Sequence, residues 1–251
     1  TKASGRFVWF VDGDDEIADG ALDVLVERLE GCASELLTFD YVIWDGNVRK
    51  VVSKQAVFAD GQSFSGIEYL KSFYLGCVWQ HAYNRLFLLK AGLFFVEGLP
   101  HEDNEFDIRV FANAKVLEYA HAPLYIYHKY AVRATLSKEK SLRDTCSVFP
   151  LMESSYLLER KTRQGIIAYH GAFIMNVILA CDYALLSKED KKVFEREFVR
   201  SGKRIFYCYW HSVRLMNKLQ AALMAVHPLL MLRVWMFLLK LRKWYEDSFH
   251  H

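Results

Sequence analysis

Between Phe7 and Val11 the chain is wholly apolar and β-prone, and it runs without a spacer into Asp12-Gly13-Asp14-Asp15. A short apolar run closed by a turn signal reads as a strand buried on both faces, the kind found inside a parallel sheet. That reading places the chain in the α/β class. Acidic residues at the C-terminal end of such a strand stand where open α/β sheets bind their ligands. Three carboxylates in four positions repel one another and shift each other's titration, so a cation would relieve them. Their hard oxygens suit Mg²⁺ or Mn²⁺, ions that commonly join a protein carboxylate to a substrate's phosphates. A plain turn is the competing reading, because Asp-Gly followed by two further acids is also good loop and cap chemistry.

Two later stretches carry chemistry of their own. Phe94-Phe95-Val96-Glu97-Gly98-Leu99-Pro100-His101-Glu102-Asp103-Asn104-Glu105-Phe106 packs four carboxylates ahead of an apolar helical pattern at Phe106, Val110, Phe111 and Ala114. Acids favour the first turn of a helix, so a solvated helix start explains the composition. The same helix would also aim Glu102 and Asp103 from its N-terminus into a cleft. Leu117 to His128 then reads as a strand ending in a histidine, as the first strand ends in an aspartate.

Taken together these segments resemble family 2 glycosyltransferases with the GT-A fold. Ala3-Ser4-Gly5-Arg6-Phe7-Val8-Trp9-Phe10-Val11-Asp12-Gly13-Asp14-Asp15 resembles the family's Asp-x-Asp strand. Cys77 to Phe87 resembles its Trp- and Arg-bearing segment beside the acceptor pocket, with Gln80 and His81 where Asn and Lys are usual. The 94–106 block resembles the family's acidic block, with every acidic position filled. The resemblance covers about residues 3–137. It implies a partial GT-A, Rossmann-like nucleotide-sugar domain with a mostly helical C-terminal appendage. Asp12 and Asp14, with Asp15, would hold Mg²⁺ or Mn²⁺ against the diphosphate of the donor, and His128 would face the metal or the diphosphate. Arg133 would close over the diphosphate, Trp79 and Arg85 would bind the acceptor, and Asp103 would be the base, helped by Glu102. The implied activity is metal-dependent, inverting transfer from a nucleotide-sugar, UDP-linked, to a glycan or lipid-linked acceptor in bacterial cell-surface polysaccharide synthesis.

A GT-A domain normally carries several strands and helices before its Asp-x-Asp strand, so the resemblance implies a chain that continues upstream of Thr1 and a fragment inactive alone. The expected domains are 1–140, the C-terminal portion of the catalytic domain, and 141–251, a helical region with breakers near Gly165 and Ser201. Of 251 residues 53% are apolar and 25% charged, globular values that exclude a disordered chain. The five cysteines are scattered without a Cys-x-x-Cys pair, which favours free thiols over zinc or disulfides. From Arg200 onward nine Lys/Arg face two acids, a net +7, so the earlier residues carry −5 of the overall +2. Residues 219–245 join this basic charge to apolar and aromatic residues, but His227-Pro228 and Arg233 interrupt them. They read as an interfacial helix making peripheral membrane contact, or as a helix docked on the body, rather than as a span. The expected location is cytoplasmic, at the inner face of the cytoplasmic membrane, with no nucleic-acid partner. The competing functions are a non-catalytic membrane-associated module with an incomplete transferase fold, and a hydrolase built on Glu102 and Asp103. Adjacent residues rarely flank a glycosidic bond from opposite sides, which disfavours the hydrolase.

Overall fold

The computed structural model describes residues 3–72, 77–129 and 141–249, with the backbone alone from 243 onward. It divides into two compact units, 1–96 with 109–136, and 97–108 with 137–251. Segment 97–108 goes with the helical unit.

The first unit is a mixed sheet. Its strands are β1 (Phe7–Trp9), β2 (Glu16–Ile17), β3 (Leu36–Trp44), β4 (Arg49–Val52), β5 (Ser63–Phe64), β6 (His81–Asn84) and β7 (Leu117–His128). Their order is β1-β6-β3-β7-β2, with β4 on β3 and β5 on β7. The long strands β3 and β7 pair in parallel, and their register shifts around Asp40, where Pro123 stands opposite. A proline cannot donate to a ladder, so an irregularity is where one is tolerated. Helix α1 (Ala21–Glu30) buries Ala21 and Leu25 on a cluster with Leu37, Phe39, Trp79 and Tyr125. Helix α2 (Gly66–Ser72) starts on a glycine because a Cβ there would stand 2.1 Å from the carbonyl oxygen of Phe111. A short α3 (Arg85–Lys90) is capped by Asn84, whose side chain accepts from the N–H groups of Leu86 and Phe87.

The expectation for the first strand needs correction. β1 is antiparallel to β6 and half-buried, at the end of the strand order. Phe7 and Trp9 lie partly buried against the α1 cluster, while Phe10, past the strand, meets Tyr83 and Phe95. The expected strands over Leu36–Ile43 and in the 48–58 region, and the helices starting near residues 18 and 65, are present, with ends shifted by a few residues.

The second unit is helical. Helix α4 (Glu102–Asn113) begins in it and ends in the first unit. Then come α5 (Leu142–Cys146), α6 (Val148–Thr162), α7 (Ile166–Cys181), α8 (Lys188–Arg200), α9 (Gly202–His211), α10 (Leu215–Val226) and α11 (Pro228–Phe249). Both expected breakers act: Gly165, at φ 71°, precedes α7, and Ser201 separates α8 from α9. The core gathers Met152, Ala172, Met175, Phe194, Phe198, Tyr209 and Met231. Residues 166–185 are long and apolar enough to cross a membrane, but 56% of that window is buried among the other helices, as in the core helix of a packed bundle. The expected C-terminal helix is two helices, because Pro228 starts α11 where α10 stops. Both dock by one face, burying Ala221, Met224, Met231 and Leu232.

Candidate functional site

The first cluster lies in the turn between β1 and β2. Asp12, Asp14 and Asp15 each present a carboxylate oxygen within 4.8 Å of the others, with Asp12 and Asp14 exposed and Asp15 half-buried. The Asp15 N–H donates to the Asp12 carbonyl at 3.3 Å, closing the turn. Asp15 is braced by β7: the Tyr125 hydroxyl donates to its Oδ2 at 2.8 Å, and the His128 N–H donates to its Oδ1 at 2.8 Å. Tyr125 in turn accepts from the Asp12 N–H at 3.1 Å. Burial holds the Tyr125 hydroxyl well above the ordinary phenol range, so it stays a protonated donor. The sequence reading did not find Tyr125, which acts across a separation of 110 positions. His128 comes next to the cluster through its backbone, while its imidazole Nε2 lies 3.1 Å from Glu16 Oε1.

Asp12, Asp14 and Asp15 are a hard-oxygen set on a braced turn, which fits a divalent cation of the Mg²⁺ or Mn²⁺ kind. The bracing separates their parts. Asp15 spends both oxygens on fixed donors, and Asp12 and Asp14 face solvent, where an ion and its anionic partner would arrive.

The second cluster, in the helical unit, is the start of α4. Gly98 and His101 both take positive φ, 71° and 54°, which folds the chain sharply into the helix. Arg143 pins this loop by donating to the Gly98 carbonyl at 2.7 Å. Glu102, Asp103 and Glu105 occupy the first turn, where the helix dipole favours acids. Glu105 is buried and accepts from the Ser154 hydroxyl at 2.6 Å, so it anchors the helix on α6. Asp103 differs. Burial pushes its carboxyl above the usual aspartate range, with Glu102 adding to the rise, while hydrogen bonds from Asn104 and the nearby His101 oppose it. Asn104 donates to Asp103 Oδ1 twice, from its backbone at 2.8 Å and its side chain at 3.0 Å. A half-buried, oriented carboxyl whose pKa is raised has the character of a general base. Glu102 is exposed beside it.

The remaining candidates sort by burial. Trp79, expected beside an acceptor, is a core residue. Its ring stacks on Tyr125 and Tyr127 at centroid distances of 4.6 and 5.5 Å, and its carbonyl accepts from Trp9 Nε1. Arg85 donates from Nε to the Gly5 carbonyl at 2.7 Å, tying the approach to β1 onto α3. Arg133 lies outside the described residues. None of the five cysteines is in a disulfide.

No protein-family model matches the chain, and no curated protein does. Solved structures do match. S. aureus TarS residues 1–349 in complex with UDP-GlcNAc superposes with a TM-score of 0.65 at 14% identity, over 93% of this chain and 67% of that one. The complex of the same protein with UDP gives 0.67 at 15% identity, over 94% and 67%. A longer TarS chain gives 0.58 at 14% identity, over 92% of this chain and 40% of that one. The chain has a GT-A-like glycosyltransferase fold. At this identity the likeness speaks for the backbone and leaves the chemistry to the side chains.

Proposed function

We propose that this chain is a glycosyltransferase that takes a sugar from a nucleotide-sugar, UDP-linked, and passes it to a hydroxyl of a glycan or lipid-linked acceptor in cell-surface polysaccharide synthesis. One observation carries the reading: the carboxylates of Asp12, Asp14 and Asp15 converge in one braced turn, on a fold shared with a protein solved with UDP and with UDP-GlcNAc.

In this reading Asp12 and Asp14 hold the cation, and Asp15 keeps the turn in shape. When bound, Mg²⁺ or Mn²⁺ would supply Lewis-acid neutralisation of the departing diphosphate. Asp103 accepts the proton of the acceptor hydroxyl as that oxygen attacks the anomeric carbon, a single displacement that inverts configuration. Glu102 sits beside it to position the acceptor, and Asn104 fixes which carboxyl oxygen of Asp103 is turned outward. Arg133 is assigned to the diphosphate by family resemblance alone, and His128 to the rim of the ion site.

The proposed location is cytoplasmic, at the inner membrane face, with 219–245 touching lipid. Exposed Leu219, Val226, Phe237, Leu238 and Leu241 beside Lys240 and Arg242 support that contact. The test of the function is calorimetric titration of UDP with and without Mn²⁺. Binding that requires the ion supports a nucleotide-sugar enzyme. No binding in either condition would overturn it in favour of the non-catalytic membrane-associated module.

A further inference from the structure

A cavity of about 260 Å³ opens within the helical unit beside the first turn of α4. Its wall is divided by chemistry. His101 and Asn104 from α4's start and Asp182 from the end of α7 supply polar groups, while Leu151, Ile174 and Ile178 supply an apolar side. Helical cores normally close to crystal-like density, and this space equals roughly nine water volumes at about 30 Å³ each. It is smaller than the usual pocket for a whole drug-sized ligand, so it suits one moiety of a larger molecule.

We propose that this cavity receives the apolar part of an amphipathic acceptor, seating the acceptor's hydroxyl at Asp103. The proposal rests on the reading of Asp103 as the base, and it adds a class of acceptor: one with an aliphatic group directly beside the sugar or hydroxyl. Three observations support it. Asn104 lines the cavity and donates its side-chain N–H to Asp103 Oδ1 at 3.0 Å, which joins the cavity wall to the residue read as the base. His101, on the same rim, holds φ at 54°, a conformation uncommon outside glycine and found where ligands are clamped. The apolar side is reached from solvent past Val177 and Cys181, both exposed and both lining the cavity.

The experiment is a binding series of alkyl β-glucosides, methyl to hexyl, titrated into the chain with no donor present. Affinity is expected to rise about fourfold per added methylene, the factor for burying one CH₂. Val177→Trp, at an exposed position, should fill the mouth and flatten the series. Affinity independent of chain length, or a rise that survives Val177→Trp in a folded variant, overturns the proposal. Should Val177→Trp fail to fold, maleimide labelling of Cys181 in the unchanged chain decides: hexyl glucoside should slow it at least fivefold and methyl glucoside should not, and equal rates overturn the proposal. UDP titration of the same samples keeps the two readings apart. A chain-length series without UDP binding supports the cavity and overturns the transferase.

Discussion

Carboxylates meet two different surroundings in the two units. In the turn after β1 the acids lie open: Asp12 and Asp14 are exposed, and only Asp15 is tied down, by Tyr125 and the His128 backbone. At the start of α4 Asp103 is half-buried, and desolvation moves its pKa upward. Open, clustered carboxylates offer hard oxygens that are suited to a cation. A half-buried carboxyl whose charged form is disfavoured is suited to proton transfer. In the proposed function the same residue type divides into ion holder and base without any difference in sequence composition.

The strongest way to break this comparison is Asp103→Asn. A positioned general base contributes about 10²–10⁴ to rate, so transfer measured as acceptor-dependent UDP release should fall by that factor. The variant should melt no lower than the parent at neutral pH. The folded pKa of Asp103 is raised above its unfolded value, so its stabilising contribution is present below the unfolded pKa and is lost as pH rises through the folded one. Replacing it with Asn removes a cost that the parent carries at pH 7. Activity in the parent should accordingly rise with pH through an apparent pKa above the ordinary aspartate range. Transfer retained in Asp103→Asn, or a pH profile already flat from pH 4, would sink the assignment.

Next in size is Asp14→Ala. The residue is exposed, so stability should change by no more than about 0.5 kcal/mol while the Mn²⁺-dependent increment in UDP affinity disappears. An undiminished metal requirement in calorimetry would separate the acidic turn from the ion. Tyr125→Phe sharpens the same point at smaller amplitude. It deletes the 2.8 Å hydrogen bond to Asp15 and the acceptor for the Asp12 N–H, leaving both acids in place. Loss of an outer partner of a metal site typically costs 10–100-fold in affinity, and about tenfold weaker Mn²⁺ binding is expected here. Unchanged Mn²⁺ affinity would show that the brace does not reach the ion site.

What could be read from the sequence was what is local. The acidic turn and the 94–106 block announce themselves because their residues are neighbours in the chain, and the helical unit follows from apolar stripes with breakers at Gly165 and Ser201. What required the fold was pairing across distance. Tyr125 meets Asp15 only because β7 runs beside β2, and no spacing rule links positions 110 apart. An apolar run also does not reveal how many neighbours its strand has, so β1 read as buried on both faces and is half-buried. Trp79 shows a related limit. An aromatic residue serves a core or a sugar platform equally well by composition, and only its stacking on Tyr125 and Tyr127 assigns it to the core.

A third acid completes the contrast. Asp40 on β3 is fully buried, more so than Asp103, yet every donor it needs is supplied. Tyr119 donates at 2.8 and 2.9 Å, the Lys54 N–H at 2.9 Å, and His121 Nδ1 lies 2.7 Å away. A carboxylate so well satisfied is structural, and the strain of the region falls on its neighbour instead. Lys54 is 3% exposed, and burial lowers its pKa to about 7 against the pull of Cys77 and Asp40. Its folded pKa lies below the unfolded value of about 10.4, so folding releases a proton between those values and stability rises with pH across that window. Below pH 7 the folded chain must keep a buried ammonium charged. Lys54→Met leaves the backbone N–H on Asp40 and removes that charge, so it should raise stability at pH 6 by about 1–2 kcal/mol, with the gain shrinking toward pH 10. Chemical denaturation at the two pH values measures it. A variant less stable than the parent at pH 6 would mean that the ammonium supports Asp40 after all.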